Sequence, residues 1–287
     1  MTAPTPPIKI EDPADPRIAV FTALKERDRV GRDGILIAEG ASVLNVLLRS
    51  PLDTICILVE AGRANRLEVL AQRGRTPLYV APQPVLDGIA GYHLHRGILA
   101  AARIPPPLTL AQLPGGAVCL PVLIGLSNHD NVGGVYRNAA AFGAAAVAVD
   151  PTCADPFYRK AIRVGVGAQL VVPTIRTKAG VAMVTALKEA GITPYALSPQ
   201  AGAPLGKAHL SPRAAFLLGT EGPGLPPDLL AAAVPLRIPM AQGFDSLNVA
   251  TASGIVLHAH FAAHGASERG TPAGPQSGGT SGSKAII

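Results

Sequence analysis

The chain of 287 residues is long enough for one large or two ordinary domains, and its 48% of apolar residues can fill a sizeable core. Because only 15% of the residues are charged, the composition excludes a largely disordered polyelectrolyte, and the absence of tryptophan predicts an aliphatic core. The formal net charge of +6 is compatible with a polyanionic partner but does not establish one.

The first part of the chain predicts a small α/β domain over residues 17–104, preceded by a flexible, proline-rich and acidic arm over residues 1–16. Short apolar runs alternate there with stretches of helical periodicity. The predicted helices are Ile18 to Lys25, Ala41 to Arg49 and Leu67 to Arg73, and the predicted strands are Gly34 to Ala38, Thr54 to Val59, Leu78 to Val80 and Gly97 to Ala102. Three consecutive prolines and a pair of glycines then predict a linker over residues 105–116.

Residues 117–265 repeat this alternation at a larger scale and predict a second α/β domain. The uninterrupted apolar run Val118 to Gly125 indicates a strand that is buried on both faces. Further strands are predicted at Ala145 to Val149, Ile192 to Leu197, Ala215 to Gly219 and Leu236 to Pro239, and helices at Gly133 to Phe142, Thr177 to Ala190, Pro226 to Ala233 and Leu247 to His264. Strands separated by helices favour a parallel sheet, which binds ligands beyond the carboxyl ends of its strands. Residues 266–287, rich in Gly, Ser, Pro and Thr, predict a disordered tail.

Cysteine usage and hydropathy bear on the compartment. The three cysteines, Cys56, Cys119 and Cys153, are isolated, which argues against a disulfide framework and against a cysteine metal site. Residues 1–15 contain no apolar segment typical of a signal peptide, and no apolar run reaches 18 residues without a break. We therefore expect a cytoplasmic protein with no membrane span and no bound metal.

Three loops of the second domain follow predicted strands and carry polar side chains. The first leads into the helix that starts near Gly133, with Asn131 as its predicted N-cap, and it places Arg137 one turn beyond Gly133. A helix N-terminus favours an anion, and Arg137 would lie on the same face. Taken alone, this loop is equally compatible with a capped helix that carries a solvated arginine.

The second loop, Gly219 to Gly224, contains three glycines and a proline, with Glu221 at its tip. Its exposed backbone amides suit a small ligand, but it lacks the Gly-Lys-Ser/Thr ending of a nucleotide phosphate loop. The third loop runs from Ile238 to Asn248 into the last helix. Ser246 would be an ordinary N-cap there, whereas the second polar side chain, Asn248, indicates a further role.

The segments NVGGVYRNAA, LLGTEGPGL and IPMAQGFDSLNVATASGIVL, in this order and spacing, resemble the three sequence motifs of the SpoU (TrmH) family of RNA ribose methyltransferases, within the SPOUT superfamily. The resemblance covers roughly residues 117–264, and the three motifs together are highly specific. The segments IAEGASVLNVLL and YHLHRGILAAA resemble, less specifically, the small ribosomal-protein-like substrate-binding domain that precedes many such catalytic domains.

This resemblance implies a SPOUT-type parallel sheet with a deep trefoil knot, S-adenosylmethionine bound in the knot, and a homodimer that completes the active site. It also implies structured RNA, ribosomal or transfer, as the substrate. The positions that match the family's catalytic residues are Asn131, Arg137, Glu221, Ser246 and Asn248. The positions that match its donor-binding residues are Gly219, Ile238, Met240, Leu247 and, with its neighbour Ser198, Leu197.

The residue types suit this chemistry. A ribose hydroxyl is a poor nucleophile at neutral pH, so its proton must be removed or polarised as it attacks the methyl group. The sulfonium donor is already activated and needs no metal, so alignment is the main task of the protein. Because arginine normally stays protonated, two roles for Arg137 remain open. It is either the general base that the resemblance implies or a cationic clamp on phosphate and alkoxide.

Two other functions compete with methyl transfer. A non-catalytic RNA-binding protein, such as a ribosome assembly factor, would be expected to have degraded motifs, whereas all three polar sets are present here. A dinucleotide-dependent enzyme would need a strand, a GxGxxG turn and a ribose-binding acid, which the glycines of residues 219–224 do not supply.

Some histidines and basic residues lie outside the three motifs. His260 and His264 are four residues apart on the last helix, and we expect packing or a dimer contact rather than metal binding. Two groups are compatible with either an RNA contact or a solvated surface: His93 with His95, and Arg159 with Lys160 and Arg163.

Overall fold

The computed structural model describes residues 5–21, 34–64, 67, 70, 74–91, 93–200, 202–220, 222–243 and 246–265. Within these ranges the chain forms a five-stranded and a seven-stranded sheet. The α-helices are α1 (Ala41–Arg49), α2 (Ala61–Ala64), α3 (Gln83–Ala90), α4 (His129–Ala141), α5 (Arg159–Val164), α6 (Val181–Glu189), α7 (Pro227–Ala232) and α8 (Val249–His264). The strands are β1 (Ile8–Lys9), β2 (Ile35–Glu39), β3 (Thr54–Glu60), β4 (Leu78–Ala81), β5 (Ile98–Arg103), β6 (Val118–Leu123), β7 (Val147–Val149), β8 (Thr174–Arg176), β9 (Thr193–Leu197), β10 (Ala203–Pro204), β11 (Arg213–Leu218) and β12 (Val234–Arg237).

The five-stranded sheet has the order β1-β4-β3-β5-β2 and is mixed, because β3 runs parallel to β4 and antiparallel to β5. Alternate side chains of its strands face opposite sides. Leu58 lies on the side covered by α3 and the 3-10 helix Pro16–Phe21, while Ile57 lies on the side covered by α1. We call this sheet with its helices the N-terminal unit. It corresponds to the small α/β domain predicted over residues 17–104.

The N-terminal unit differs from the sequence-based expectation at its start and in one helix. The arm predicted to be flexible is wrong for Ile8–Lys9, which pairs with β4, and for Ile10, which is fully buried. Two isoleucines spaced for one face of a strand outweigh the prolines around them. Helix α3 was not predicted; its Pro84 lies in the first helical turn, where proline is well tolerated.

Some of the predicted segments extend beyond the described residues. The helix predicted at Ile18 to Lys25 is a 3-10 helix, Pro16–Phe21, as far as it is described. The helix predicted at Leu67 to Arg73 and the tail predicted over residues 266–287 lie largely or wholly outside the described residues.

The seven-stranded sheet has the order β10-β12-β9-β11-β6-β7-β8, and every neighbouring pair is parallel. The predicted parallel α/β sheet is therefore confirmed. Helices α6 and α7 pack on one face, and α4 and α8 pack on the other. The interior strand β6 is buried along its whole length, as its uninterrupted apolar run predicts. The short elements α5 and β8 were not predicted, since neither is long enough to show a period.

The two units share an apolar core instead of being joined only by a linker. Phe157, Ile162 and Leu170 of the second unit are buried in the same cluster as α1 and β2. The predicted linker is also partly packed, because the Leu108 amide donates to the Thr174 carbonyl at 2.8 Å and Leu113 is 8% exposed. The units therefore meet through a continuous packed interface.

Helices α4 and α8 cross at very close range. A Cβ placed on Gly134 would lie 2.6 Å from the Cβ of Ala250, so only glycine fits at this crossing. The side-chain amide of Asn138 donates to the Ala250 carbonyl at 2.6 Å and to Ser253 Oγ at 2.9 Å. This crossing fixes the start of α8 against α4.

The two spaced histidines of α8 serve packing. His260 is 3% exposed, and its Nε2 lies 3.1 Å from the Pro212 carbonyl oxygen and 3.2 Å from that of Ser211. His264 Nε2 lies 2.9 Å from the Leu210 carbonyl oxygen. Within the part of the chain that the structure describes, no three His, Cys, Asp or Glu side chains are grouped so as to hold a metal ion.

We expect stability to fall as the pH drops below about 6.5, the unperturbed histidine pKa. Burial, and then the neighbouring His264, lower the pKa of His260 below its usual value. Below pH 6.5 the unfolded chain takes up a proton while the buried ring stays neutral, so the free energy of unfolding declines until the folded pKa is reached. Urea unfolding at pH 7.5, 6.5 and 5.5 measures this decline. It should shrink in His260→Gln and persist in His258→Gln, a control at an exposed position of the same helix.

Candidate active site

The carboxyl ends of β9, β11 and β12 meet the start of α8 around a cavity of about 590 Å³. Parallel strands bring their C-terminal loops to one edge of the sheet, where the sequence analysis predicted a ligand site. The lining residues are Leu197, Ser198, Pro199, Gln200, Leu218, Gly219, Thr220, Gly222, Gly224, Leu225, Leu236, Ile238, Met240, Ser246, Leu247, Asn248, Val249 and Ala252.

All five residues predicted to contact the donor lie in this wall. They come from three separate parts of the chain: Leu197 ends β9, Gly219 follows β11, and Ile238, Met240 and Leu247 precede α8. Two residues predicted to be catalytic, Ser246 and Asn248, line the same cavity. The structure thus brings together residues that are up to 51 positions apart in the sequence.

The glycine-rich loop after β11 packs tightly against itself. A Cβ on Gly219 would lie 2.6 Å from the carbonyl carbon of Gly224 and 2.7 Å from the Leu225 amide nitrogen. The Gly224 amide donates to the Thr220 carbonyl at 3.2 Å, which closes the turn. Gly222 has a φ of 91°, in the left-handed region that favours glycine. Glu221, predicted to be catalytic, lies outside the described residues.

The first helix of the site begins earlier than predicted. Asn128 is the N-cap of α4, because its side chain accepts from the Asp130 amide at 2.8 Å. The predicted N-cap role of Asn131 is therefore wrong. Asn131 lies within the first turn of α4 and is 6% exposed. An asparagine three residues before Asn131 caps equally well, and the sequence alone does not choose between them.

Asn248 joins the first and third loops. It is the N-cap of α8, where its Oδ1 accepts from the Ala250 amide at 2.9 Å and from the Thr251 amide at 3.3 Å. Its Nδ2 donates to Asn131 Oδ1 at 2.9 Å. The cap role considered for Ser246 thus belongs to Asn248, and the polar pair Asn131 and Asn248 is in direct contact.

Arg137 is exposed on α4 and does not line the cavity. Its side chain makes no hydrogen bond or ion pair with the part of the chain that the structure describes. Gly133 and Gly134, one turn earlier, face α5 and α8 respectively. Arg137 therefore lies on the side of α4 between these two neighbouring helices. Its guanidinium is available to a partner outside this chain.

Sequence reasoning missed several contributors to the site. Pro199, Gln200 and Thr220 line the cavity, and the signal that could have identified them is that each lies within three residues after a strand end. Asp150 was also missed. Its Oδ1 accepts from the Gly125 amide at 3.3 Å and the Thr152 amide at 3.0 Å, and so it shapes the loop after β6.

Cys153 lies close to the same loop but is not a nucleophile. Its Sγ accepts a hydrogen bond from the Leu126 amide at 3.2 Å. Burial raises the pKa of the Cys153 thiol to about 12, so the thiol stays protonated at neutral pH.

The basic cluster on α5 divides between two partners. Arg159 and Arg163 approach Glu39 of the N-terminal unit, with Nη1 to carboxylate oxygen distances of 2.6 and 3.8 Å. Lys160 instead pairs with Asp130 of α4 at 2.9 Å, and about half of each of these two side chains is exposed. This cluster is therefore not a uniform free surface for phosphates.

His93 and His95 lie on the N-terminal unit, away from the cavity. Both are exposed, and their rings contact each other edge to face with centroids 4.5 Å apart. Hydrogen bonding by His93 Nδ1, at 2.8 Å, and by the Leu94 amide lowers the pKa of Asp87 to about 2.

No helix among the described residues is long and apolar enough to cross a membrane.

The site and the fold both have counterparts among known proteins. The model of the SpoU rRNA Methylase family matches residues 120–258. An uncharacterized tRNA/rRNA methyltransferase of Mycobacterium bovis is 38% identical over 257 residues, which cover 86% of this chain and 89% of that protein.

Solved structures extend the likeness to the fold. A crystal structure of an RNA 2′-O ribose methyltransferase is 28% identical, with a TM-score of 0.75 over 89% of this chain and 98% of that one. The AdoMet-bound rRNA methyltransferase from Sinorhizobium meliloti is 20% identical, with a TM-score of 0.76 over 88% and 97%. Residues of the second and third sequence motifs line one cavity, and a 38% identical relative spans most of both chains. The chain therefore belongs to the SpoU methylase family.

Proposed function

We propose that this protein transfers the methyl group of S-adenosylmethionine to a ribose 2′-hydroxyl of structured RNA, ribosomal or transfer, in the cytoplasm. The observation that carries the proposal is that one cavity is lined by all five residues that match the family's donor-binding positions, Leu197, Gly219, Ile238, Met240 and Leu247. The printed names of the relatives, a tRNA/rRNA methyltransferase and an RNA 2′-O ribose methyltransferase, support the reaction class.

The cavity fits S-adenosylmethionine in size and chemistry. Its volume of about 590 Å³ lies within the usual range of small-molecule sites. Leucine and isoleucine side chains form apolar walls, which suit the flat adenine ring, and exposed backbone groups of the Gly219 to Gly224 loop suit its polar edge. The side chains of Ser198, Gln200 and Asn248 supply polar groups for the charged end of the donor. When bound, the sulfonium donor supplies an activated methyl group without a metal.

The residues of this chain then have separable tasks. The Asn248 side chain fixes the start of α8 and, through Asn131, the start of α4, so both polar loops keep one geometry beside the cavity. Arg137 binds phosphate and polarises the attacking hydroxyl, either as a base or as a fixed cation. We favour the cationic role, because the exposed, planar guanidinium of Arg137 suits direct contact with a phosphate.

The proposal includes a homodimer. Arg137 does not line the cavity of its own chain, and a second copy packed on α4 and α8 would carry its Arg137 to that cavity. The surface of α8 supports such packing, because Ile255 is 36% exposed and lies among small residues such as Ala259 and Ala262.

The proposal also includes a trefoil knot and an RNA-holding N-terminal unit. Support for the knot is that α8 follows β12 yet packs across β6 and β11 in the interior of the sheet, while Ile238, Met240 and Leu247, which lie between β12 and α8, line the cavity. Support for the RNA contact is the exposed group His93, His95 and Arg96 on the N-terminal unit.

The test combines donor binding with methyl transfer, and Asn248→Asp is its sharpest variant. Aspartate keeps the acceptor that caps α8 but loses the amide that donates to Asn131. We expect the wild type to bind S-adenosylmethionine in calorimetry and to methylate RNA from a strain that lacks the gene. We expect Asn248→Asp to keep its thermal stability and to lose methyl transfer by at least about 100-fold.

Asn248→Ala is the matched control for folding, since it loses the cap as well and should be less stable by about 1 kcal/mol. Ribose-methylation mapping then identifies the nucleotide. Absence of donor binding, or a methyl group on a base, would overturn the proposal. Binding of RNA without transfer would favour the assembly factor instead.

A further inference from the structure

Glu39 is a buried carboxylate at the interface of the two units. It ends β2 of the N-terminal unit, and its side chain is 6% exposed. Arg159 Nη1 donates to its Oε2 at 2.6 Å, and Arg163 Nη1 lies 3.8 Å from its Oε1. Both arginines belong to α5 of the second unit and are one helical turn apart, so both side chains can reach the same carboxylate.

An isolated carboxylate at this depth would be strongly unfavourable, so the two units need each other at this point. The surrounding interface is apolar and non-directional, with Phe157 and Ile162 packed against α1 and β2. The charged group of Glu39, Arg159 and Arg163 adds directional contacts to this interface. We call these three residues the interdomain clasp.

The clasp is linked to the site through α5. A Cβ on Gly133 would lie 2.6 Å from the Ala161 carbonyl oxygen, so α4 and α5 are in backbone contact. Lys160 of α5 also pairs with Asp130, in the first turn of α4. The next residue, Asn131, accepts the hydrogen bond from Asn248. A short chain of packed groups therefore leads from Glu39 to the polar pair beside the cavity.

We propose that the interdomain clasp sets the orientation of the N-terminal unit relative to α4, so that RNA held by that unit reaches the methyl-transfer site in register. This inference rests on the proposed function. Glu39, Arg159 and Arg163 act as positioning residues and do not touch the reacting atoms. Arg159 and Arg163 therefore bind the Glu39 carboxylate, while the more exposed side chains of Lys160 and Arg137 can contact an RNA phosphate.

The first experiment measures orientation without using activity. Spin labels on Asp53→Cys and Lys188→Cys, exposed positions in the two units, report the distance between them in a Cys153→Ser background. We expect a narrow distance distribution in the otherwise wild-type chain and a broadened or shifted one in Glu39→Gln. The double variant Glu39→Met with Arg159→Met secures the test if Glu39→Gln fails to fold, because an apolar pair often replaces a buried ion pair without loss of stability.

The second experiment measures the consequence for catalysis. In the clasp variants we expect KM for RNA to rise about tenfold, while the dissociation constant of S-adenosylmethionine stays within about twofold of the wild type. Glu11→Gln is the matched control, since Glu11 forms an exposed pair with Lys9 within the N-terminal unit and should change neither quantity.

The results separate the two proposals. An unchanged distance distribution in folded clasp variants, or an unchanged KM for RNA, would overturn the clasp. If the wild type transferred no methyl group, the proposed function would fail, while the distance measurement would still decide whether the clasp sets the orientation.

Discussion

Replacing Arg137 with alanine should lower methyl transfer by about 10³-fold while the affinity for S-adenosylmethionine and the melting temperature stay unchanged. Arg137 is exposed and does not line the cavity, and its side chain makes no hydrogen bond or ion pair with the described part of the chain. Its loss therefore removes neither a packing contact nor a wall of the donor site. Single-turnover transfer of a tritiated methyl group, with calorimetry of donor binding, measures both quantities.

Arg176→Ala is the matched control, because Arg176 is also exposed and pairs only with Asp155 at 3.3 Å among described residues. It should leave transfer intact. Mixing Arg137→Ala chains with Asn248→Asp chains tests which subunit supplies the arginine. If Arg137 acts in its partner's site, half of the dimers contain one intact site, and about a quarter of the wild-type activity returns. Continued inactivity of the mixture would place Arg137 in the site of its own chain.

Substituting Gly219 by alanine should weaken donor binding by about 10- to 100-fold, which corresponds to the 1–3 kcal/mol typical of overpacking. The added methyl would meet the Gly224 carbonyl group and the Leu225 amide at 2.6 to 2.7 Å, so the two strands of the glycine-rich loop must separate. That loop forms one wall of the cavity. Calorimetric titration with S-adenosylmethionine measures the effect.

Gly206→Ala is the matched control, because it also replaces a glycine by alanine but at a position with open space around it. A Cβ on Gly206 meets nothing within 4 Å, and this residue, like Gly219, does not need a positive φ. Donor binding should therefore be unchanged in Gly206→Ala. Equal affinity in Gly219→Ala and Gly206→Ala would show that the loop can relax and that its tight packing does not shape the site.

The sequence predicted the parts of the fold that depend on strong local patterns. The buried strand β6 follows from one apolar run, and α1 is found at Ala41–Arg49 as its periodicity indicates. The parallel sheet follows from strands separated by helices, and its C-terminal loops carry the polar motifs. The grouping of the five donor positions in one wall came from the family resemblance and from the rule on carboxyl ends, not from any local pattern.

Other features depend on contacts between distant residues and have no local signal. The strand β1 exists because Ile8 and Ile10 find a partner in β4, about 70 residues later. The contact between Asn131 and Asn248 spans 117 positions. The clasp of Glu39 with Arg159 spans 120 positions, so the sequence could not show that part of the basic cluster on α5 pairs with a buried carboxylate. Such pairings are decided by tertiary packing rather than by propensity.

The close crossing of α4 and α8 has a consequence for biosynthesis. Asn138 reaches its partner Ser253 only after 115 further residues have been translated, and residues 246–249 complete the cavity at the same late stage. Chain segments fold in the order in which they leave the ribosome, and contacts of long sequence separation form last. The N-terminal unit can therefore assemble on the nascent polypeptide long before a ligand pocket exists. A ribosome-tethered chain that ends before α8 would not bind S-adenosylmethionine. Donor binding would begin only after α8 has been translated and has packed against α4.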